Sequence, residues 1–178
     1  DQVRMIEVKL SQGAKPGQGG VLPAAKISEE IAEARGVPMG VDCVSPASHS
    51  AFTTPIEMME FIQHLRELAK GKPVGFKLCI GHRREFMCIV KAMLETGITP
   101  DFIVIDGKEG GTGAAPLEFM DHVGMPLRDG LTFAHGALVG TGKLKPRETV
   151  AQGIAAAPEA FLGLLKGKNF GKQLVKLV

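Results

Sequence analysis

The sequence predicts an α/β fold in which strands and helices alternate around a parallel sheet. Three observations carry this expectation. The spacing of apolar residues switches between two and about 3.6 along the chain, in the order strand, helix, strand, helix, strand. Residues 102–105 (FIVI) form a continuous apolar run bounded by Asp101 and Asp106, as expected for a parallel strand buried on both faces. Polar, glycine-rich segments follow Leu10, Cys79 and Ile105, and in open α/β sheets ligands gather at the carboxyl ends of strands.

The elements follow in chain order. Residues 5–10 (MIEVKL) alternate apolar and polar side chains and predict a strand. A long loop, SQGAKPGQGGVLPAAK, comes next. Ser28 opens a short helix, SEEIAEAR, with glutamates in its first turn and Arg35 in its last, which complements the helix dipole; Gly36 is its stop. Thr54-Pro55-Ile56-Glu57 is a capping box with proline at the first helical position. The stripe behind it, Met58, Phe61, Ile62, Leu65, Leu68 and Ala69, marks one core-facing side of a helix that ends at Gly71. Residues 73–79 (PVGFKLC) predict a strand. A further helical stripe runs through Phe86, Ile89, Val90, Met93 and Leu94 to Gly97. Residues 131–139 (LTFAHGALV) are expected to form another strand. After Gly140 the character changes. TGKLKPRE is a polar, basic linker, residues 148–157 predict a helix, Pro158 restarts a second helix through Leu165, and residues 172–178 (KQLVKLV) predict a terminal strand.

Length and composition set the outer bounds. The chain has 178 residues, 44% hydrophobic and 22% charged, which is ordinary globular chemistry. A whole (β/α)8 barrel needs about 250 residues. A net charge of +2 with no basic run, and no Trp or Tyr, offer no footprint for nucleic acid. No run approaches about 18 consecutive apolar residues, so no transmembrane helix is expected. No secretory signal opens the chain, and Asp1 in place of Met points to a processed or excised segment. Cys43, Cys79 and Cys88 have no CxxC spacing and are expected to be buried, reduced thiols of a cytoplasmic protein.

Several segments could carry chemistry. In the loop 11–20, SQGAKPGQGG, glycines let the backbone approach a ligand, and Lys15 either holds a carboxylate or is simply solvated. In residues 109–116, EGGTGAAP, Gly110, Gly111 and Gly113 around Thr112 could form a nest of N–H groups; the pattern is neither GxGxxG nor a Walker loop. Lys77 lies within an apolar strand, either as a functional cation or as a snorkelling edge residue. Asp106 and Lys108 close the next strand at the equivalent place. Ser48-His49-Ser50 invites a nucleophile reading, yet adjacent residues rarely form a triad, and a polar loop is expected. His64 is expected in solvent. His82, His122 and His135 show no ligand spacing, so no metal site is expected.

Read together, IEVKLSQGAKPGQGGVLPAAK, EARGVP, SPASHSAFTTPIE, GKPVGFKLCIGH, GITPDFIVIDGKEGGTGAAP and DHVGMPLRDGL resemble the FMN-binding synthase domain of glutamate synthases. The resemblance covers residues 1–140. It implies a partial (β/α)8 barrel that binds FMN and reduces the imine formed from 2-oxoglutarate and ammonia to L-glutamate. Carried over by position, Lys15 and Arg35 would hold the 2-oxoglutarate carboxylates, assisted by a hydroxyl of Thr53 or Thr54. Lys77 would stand beside the flavin ring, with Gly110, Gly111, Thr112 and Gly113 at its face; Lys15 and Lys77 are thus the expected catalytic residues. Val21 departs from the Gln of the larger synthases. The loops that hold the FMN phosphate and the cysteine cluster of an iron–sulfur centre have no counterpart here, so no such cluster is expected. Residues 141–178 resemble instead the C-terminus of medium-chain NADP-dependent reductases, with Asn169 at the place of a nucleotide-contacting Asn, which implies a junction near residues 139–143. The expected alternatives to a working enzyme are an inactive chimera that self-associates through exposed sheet edges and, less favoured, an NADP-dependent reductase fragment.

Overall fold

The computed structural model describes residues 2–110 and 115–177. It is a mixed α/β structure that divides into two compact units, Asp1–Ala137 and Leu138–Val178.

The first unit is built on three parallel strands, β1 (Ile6–Lys9), β4 (Val74–Cys79) and β5 (Ile103–Asp106), in the order β1-β4-β5. The register places Val8 beside Phe76 and Phe76 beside Ile103, and on the next step Lys9 beside Lys77 and Lys77 beside Val104. Because side chains alternate along a strand, this register sorts the sheet into two faces. One carries Val8, Val74, Phe76, Leu78, Ile103 and Ile105. The other carries Glu7, Lys9, Lys77, Cys79 and Asp106. Helices α2 (Pro55–Leu68) and α3 (Arg83–Thr96) supply the buried Met58, Met59, Ile62, Phe86, Val90 and Met93 that share the core with the apolar strand residues.

The helix ends form where their chemistry dictates. Ser28 caps α1 (Glu29–Arg35) by accepting the Ile31 N–H, and Gly36 closes it at φ +63°. Thr54 and Glu57 complete the capping box of α2. Gly97, at φ +71°, ends α3. Between β1 and α2 the chain also forms a small antiparallel ribbon, β2 (Val21–Leu22) with β3 (Cys43–Val44), and a turn of 3-10 helix at Ala24–Lys26.

Three expectations are corrected. Strand β5 lies at an edge of the three-stranded sheet with Val104 exposed, so it is not buried on both faces. Residues expected as a strand over 131–139 instead belong to helix α4 (Leu127–Gly140), which buries Gly130 and Ala134, one helical turn apart. The Leu-Thr-Phe-Ala alternation mimics a strand, but Glu109 accepts the Leu127 N–H and caps the helix start from outside the segment. Residues 148–152 form strand β6 (Glu148–Gln152) rather than a helix: Thr149 and Val150 are β-branched, and Gly153 at φ +77° turns the chain before a short 3-10 turn. In this second unit β6 pairs in parallel with β7 (Lys172–Lys176), and α5 (Ala157–Leu165) joins them, with Pro158 in its first turn.

Candidate functional site

The carboxyl ends of β1, β4 and β5 are tied together by the loops that leave them. The N–H groups of Leu10 and Ser11 both reach the Lys77 carbonyl, at 2.9 and 3.4 Å. The Ser11 hydroxyl accepts the Cys79 N–H at 2.9 Å. Met125 donates its N–H to the Ile80 carbonyl at 2.8 Å and accepts the Lys108 N–H at 3.0 Å, so the segment before α4 stitches the ends of β4 and β5. Glycines make this closeness possible. A methyl group at Gly13 would overlap the Gly107 carbonyl, and one at Gly124 would press on the Cys79 sulfur and on Pro16.

Lys15, Lys77 and Asp106 stand at this end, together with Lys9, which lies beside Lys77 in the register and donates to Gln12 Oε1 at 2.8 Å. Lys15 is only 9% exposed, and its ammonium donates to the Gly19 carbonyl at 3.4 Å. An ammonium has three donors, and among the described residues no carboxylate meets this one. Lys77 is different: its ammonium lies 3.4 Å from Asp106 Oδ2. The same oxygen accepts the Gly13 N–H at 2.9 Å. One carboxylate atom therefore joins the strand lysine to the loop that carries Lys15. Beside them, burial raises the pKa of the Cys79 thiol; a backbone hydrogen bond from Met125 opposes the rise and the charges of Asp106 and Glu109 add to it. Of the three cysteines expected to be buried, Cys79 is buried, Cys43 is half-buried and Cys88 is exposed on the outer side of α3.

The other expected residues are placed as follows. Arg35 is exposed in the last turn of α1 and takes no part in the bonds that order the lysine site. Thr53 and Thr54 are committed to the start of α2: Glu57 Oε2 accepts both backbone N–H groups and the Thr53 hydroxyl, and these bonds hold the Glu57 carboxyl below its usual range. They line a pocket of about 630 Å³ together with Lys9, Phe52 and Ile89, whereas Lys15 and Lys77 do not border it. Gly110 is in the left-handed region at φ +79°, with its N–H donated to Asp121 Oδ1 at 3.0 Å. Gly111, Thr112 and Gly113 lie outside the described residues. His49 Nδ1 accepts the Ala51 N–H and its ring stacks on Phe52 at 4.5 Å, so neither flanking serine uses it as a base. Asn169 Nδ2 donates to the Gly171 carbonyl at 2.7 Å within its own turn. Among the described residues no three His, Cys, Asp or Glu side chains converge, and no helix is long and apolar enough to cross a membrane.

Asp106 is the site residue that sequence reasoning assigned no role. The only signal was its position, closing β5 where Cys79 closes β4.

Comparison with known proteins agrees with the motifs. Residues 1–158 match the family described as the conserved region in glutamate synthase. The chain is 40% identical over 171 residues to the glutamate synthase large subunit-like protein YerD of Bacillus subtilis (strain 168), covering 96% of this chain and 32% of that protein. It is 43% identical over 123 residues to the archaeal-type glutamate synthase (NADPH) of Thermotoga neapolitana, covering 68% of this chain and 24% of that protein. It is 35% identical over 166 residues to the archaeal glutamate synthase (NADPH) of Methanocaldococcus jannaschii, covering 92% and 32%. The chain thus spans at most 32% of the length of these relatives. The match passes the junction expected at 139–143 and continues to residue 158, and the reductase reading of the tail gains no support. The chain belongs to the glutamate synthase conserved-region family.

Proposed function

We propose that this chain is the part of a glutamate synthase that holds a 2-oxoacid, 2-oxoglutarate in the family's reaction, against an FMN ring, and that β1, β4 and β5 are an arc of a (β/α)8 barrel. The observation that carries the reading is Lys15. A buried ammonium whose hydrogen bonding among the described residues is one carbonyl at 3.4 Å is costly to keep and is compensated by an anion. It sits on a glycine-rich loop at the carboxyl ends of parallel strands, where such sheets place their ligands.

The residues fit a flavin ring as well as a carboxylate. Lys77 presents a part-exposed ammonium at the strand ends, suited to a ring carbonyl. FMN, when bound, would supply the hydride that reduces the imine. Lys15 would hold a carboxylate of the 2-oxoacid, and Lys77 would orient the ring. Arg35, Thr53 and Thr54 are the further candidate contacts to the substrate, and Gly110, with Gly111, Thr112 and Gly113 outside the described residues, those to the flavin. The NADPH-dependent naming of the archaeal-type relatives supports NADPH as the source of electrons in the complete enzyme.

The test is a titration of the purified chain with FMN, followed by quenching of flavin fluorescence, with and without 2-oxoglutarate. Saturable quenching tightened by 2-oxoglutarate is expected, and Lys15→Ala is expected to raise at least tenfold the 2-oxoglutarate concentration needed for that tightening. A tenfold loss equals about 1.4 kcal/mol, the scale of one charge-assisted hydrogen bond. No quenching at any FMN concentration overturns the reading.

A second reading rests on the other unit. Helix α5 leaves Phe161, Leu162, Leu164 and Leu165 exposed. On this reading the chain is a non-catalytic fold that associates with copies of itself.

A further inference from the structure

We propose that Asp106 is the positioning residue of the lysine site, dividing its two cations between two tasks. The inference rests on the function proposed above. It starts from one atom. Asp106 Oδ2 lies 3.4 Å from the Lys77 ammonium and accepts the Gly13 N–H at 2.9 Å.

The first consequence concerns charge. Lys77 has its countercharge within the protein, so a ligand carboxylate gains little by displacing Asp106. Lys15 has none among the described residues. An incoming dianionic 2-oxoacid is therefore directed to Lys15, while Lys77 is kept as a hydrogen-bond donor for a neutral acceptor such as a ring carbonyl. Without the Asp106 charge the two ammonium groups would compete for the same carboxylate. The selectivity between the lysines is thus set by a residue that need not touch the ligand.

The second consequence concerns the loop. Gly13 packs on the Gly107 carbonyl, one residue after Asp106, with no room for a side chain between them. The bond from Gly13 to Asp106 closes this contact from the other side. Lys15 follows Gly13 by two residues, and its own N–H returns to the Gln12 carbonyl at 3.3 Å. The Asp106 carboxylate therefore fixes the base of the turn that aims Lys15. Ser11, bonded to the Cys79 N–H, holds the same loop at its start, so a neutral anchor there is joined by the charged one at Gly13.

Two substitutions separate the tasks. Asp106→Asn keeps an oxygen for the Gly13 N–H and removes the charge facing Lys77. Asp106→Ala removes both. The experiment is brief acetylation of the whole chain with acetic anhydride, read by mass spectrometry at Lys15 and Lys77 against the exposed Lys91, with and without 2-oxoglutarate. Amide hydrogen exchange of residues 12–18 is read in parallel. In the unsubstituted chain 2-oxoglutarate is expected to protect Lys15 and leave Lys77 unchanged. In Asp106→Asn, acetylation of Lys77 without ligand rises roughly two- to fivefold, as expected on losing a part-exposed ion pair, and 2-oxoglutarate now protects Lys77 as well. Exchange of 12–18 stays near that of the unsubstituted chain in Asp106→Asn and accelerates in Asp106→Ala. Equal labelling of Lys77 with and without the Asp106 charge overturns the proposal, as does unchanged exchange in Asp106→Ala. Equal protection of both lysines in the unsubstituted chain overturns it without any variant. Protection of neither lysine there, together with the expected Lys77 labelling and 12–18 exchange in the variants, removes the proposed function and leaves the positioning by Asp106 standing.

Discussion

At the residue scale, the site depends on side chains that are absent as much as on those present. Gly13, Gly107 and Gly124 let the loops pack closely, and Lys15 and Asp106 gain their places from that closeness. This makes Gly13 a sharper probe of the loop than Lys15 itself. Gly13→Ala is expected to force the 11–20 loop away from Gly107, because the added methyl meets a carbonyl with no freedom to rotate aside. A cost of about 2 kcal/mol is expected, in the upper half of ordinary single substitutions, read as a lowered denaturant midpoint. Gly17→Ala offers the control. Its site is open, but its φ of +75° disfavours any side chain, so about 1 kcal/mol is expected there. A larger loss at Gly17 than at Gly13 would show that the loop's own conformation, and not its contact with Gly107, sets its position.

At the scale of elements, the legible parts of the fold were those governed by local chemistry. The capping box at Thr54, the Ser28 cap, and the glycine stops at Gly36 and Gly97 each act within a turn, so neighbouring residues suffice to find them. Helix α4 and strand β6 were misread because their determinants lie elsewhere. The cap of α4 comes from Glu109, 18 residues upstream, and β6 is held by pairing with β7. The site divides in the same way. Lys15 and Lys77 stand out as charges in glycine-rich or apolar surroundings, whereas the role of Asp106 is visible only in the fold, which brings its carboxylate within 3.4 Å of the Lys77 ammonium. A comparable long-range link ties α2 to the strands. Asp101 Oδ2 accepts the Val74 N–H at 2.8 Å and two guanidinium bonds from Arg66, which also reaches the Thr99 carbonyl. Burial pushes the pKa of Asp101 upward, but the Val74 bond and the Arg66 charge outweigh it and leave the carboxyl below its ordinary range. A pKa lower in the folded than in the unfolded chain stabilises above the unfolded value of about 3.9 and loses that contribution as the pH falls through the folded value. Asp101→Asn is expected to cost about 1 kcal/mol at pH 7, the scale for a part-exposed pair. The gap between variant and parent should close below about pH 4. Denaturation at pH 7 and pH 3 checks this; a gap that persists unchanged at pH 3 would mean the charge is not what Asp101 contributes.

At the scale of the whole molecule, the two units differ in how they treat apolar surface. The first encloses Met59, Ile62, Phe76, Phe86 and Met93 almost completely. The second buries only Gly163 on α5 and leaves Phe161 62%, Leu165 75% and Phe170 64% exposed. Scattered apolar side chains on a surface need no explanation, but several on one nine-residue helix form a patch that water disfavours. Among the described residues β6 and β7 pair only with each other, so each also has an open edge for another strand. We propose that the chain in solution covers this surface by self-association. The association should be driven by α5 rather than by sheet edges, because Lys172 and Lys176 on β7 place charges where a flat edge would pair. Light scattering over a concentration series is expected to show a mass above that of one chain, rising with concentration. Phe161→Ser combined with Leu165→Ser should return the monomer and leave the first unit's thermal transition in place, since neither residue belongs to its core. Removing the two lysines of β7 should strengthen association. A strict monomer at all concentrations, or an oligomer that survives the double serine substitution, would place the cover of α5 within the chain itself.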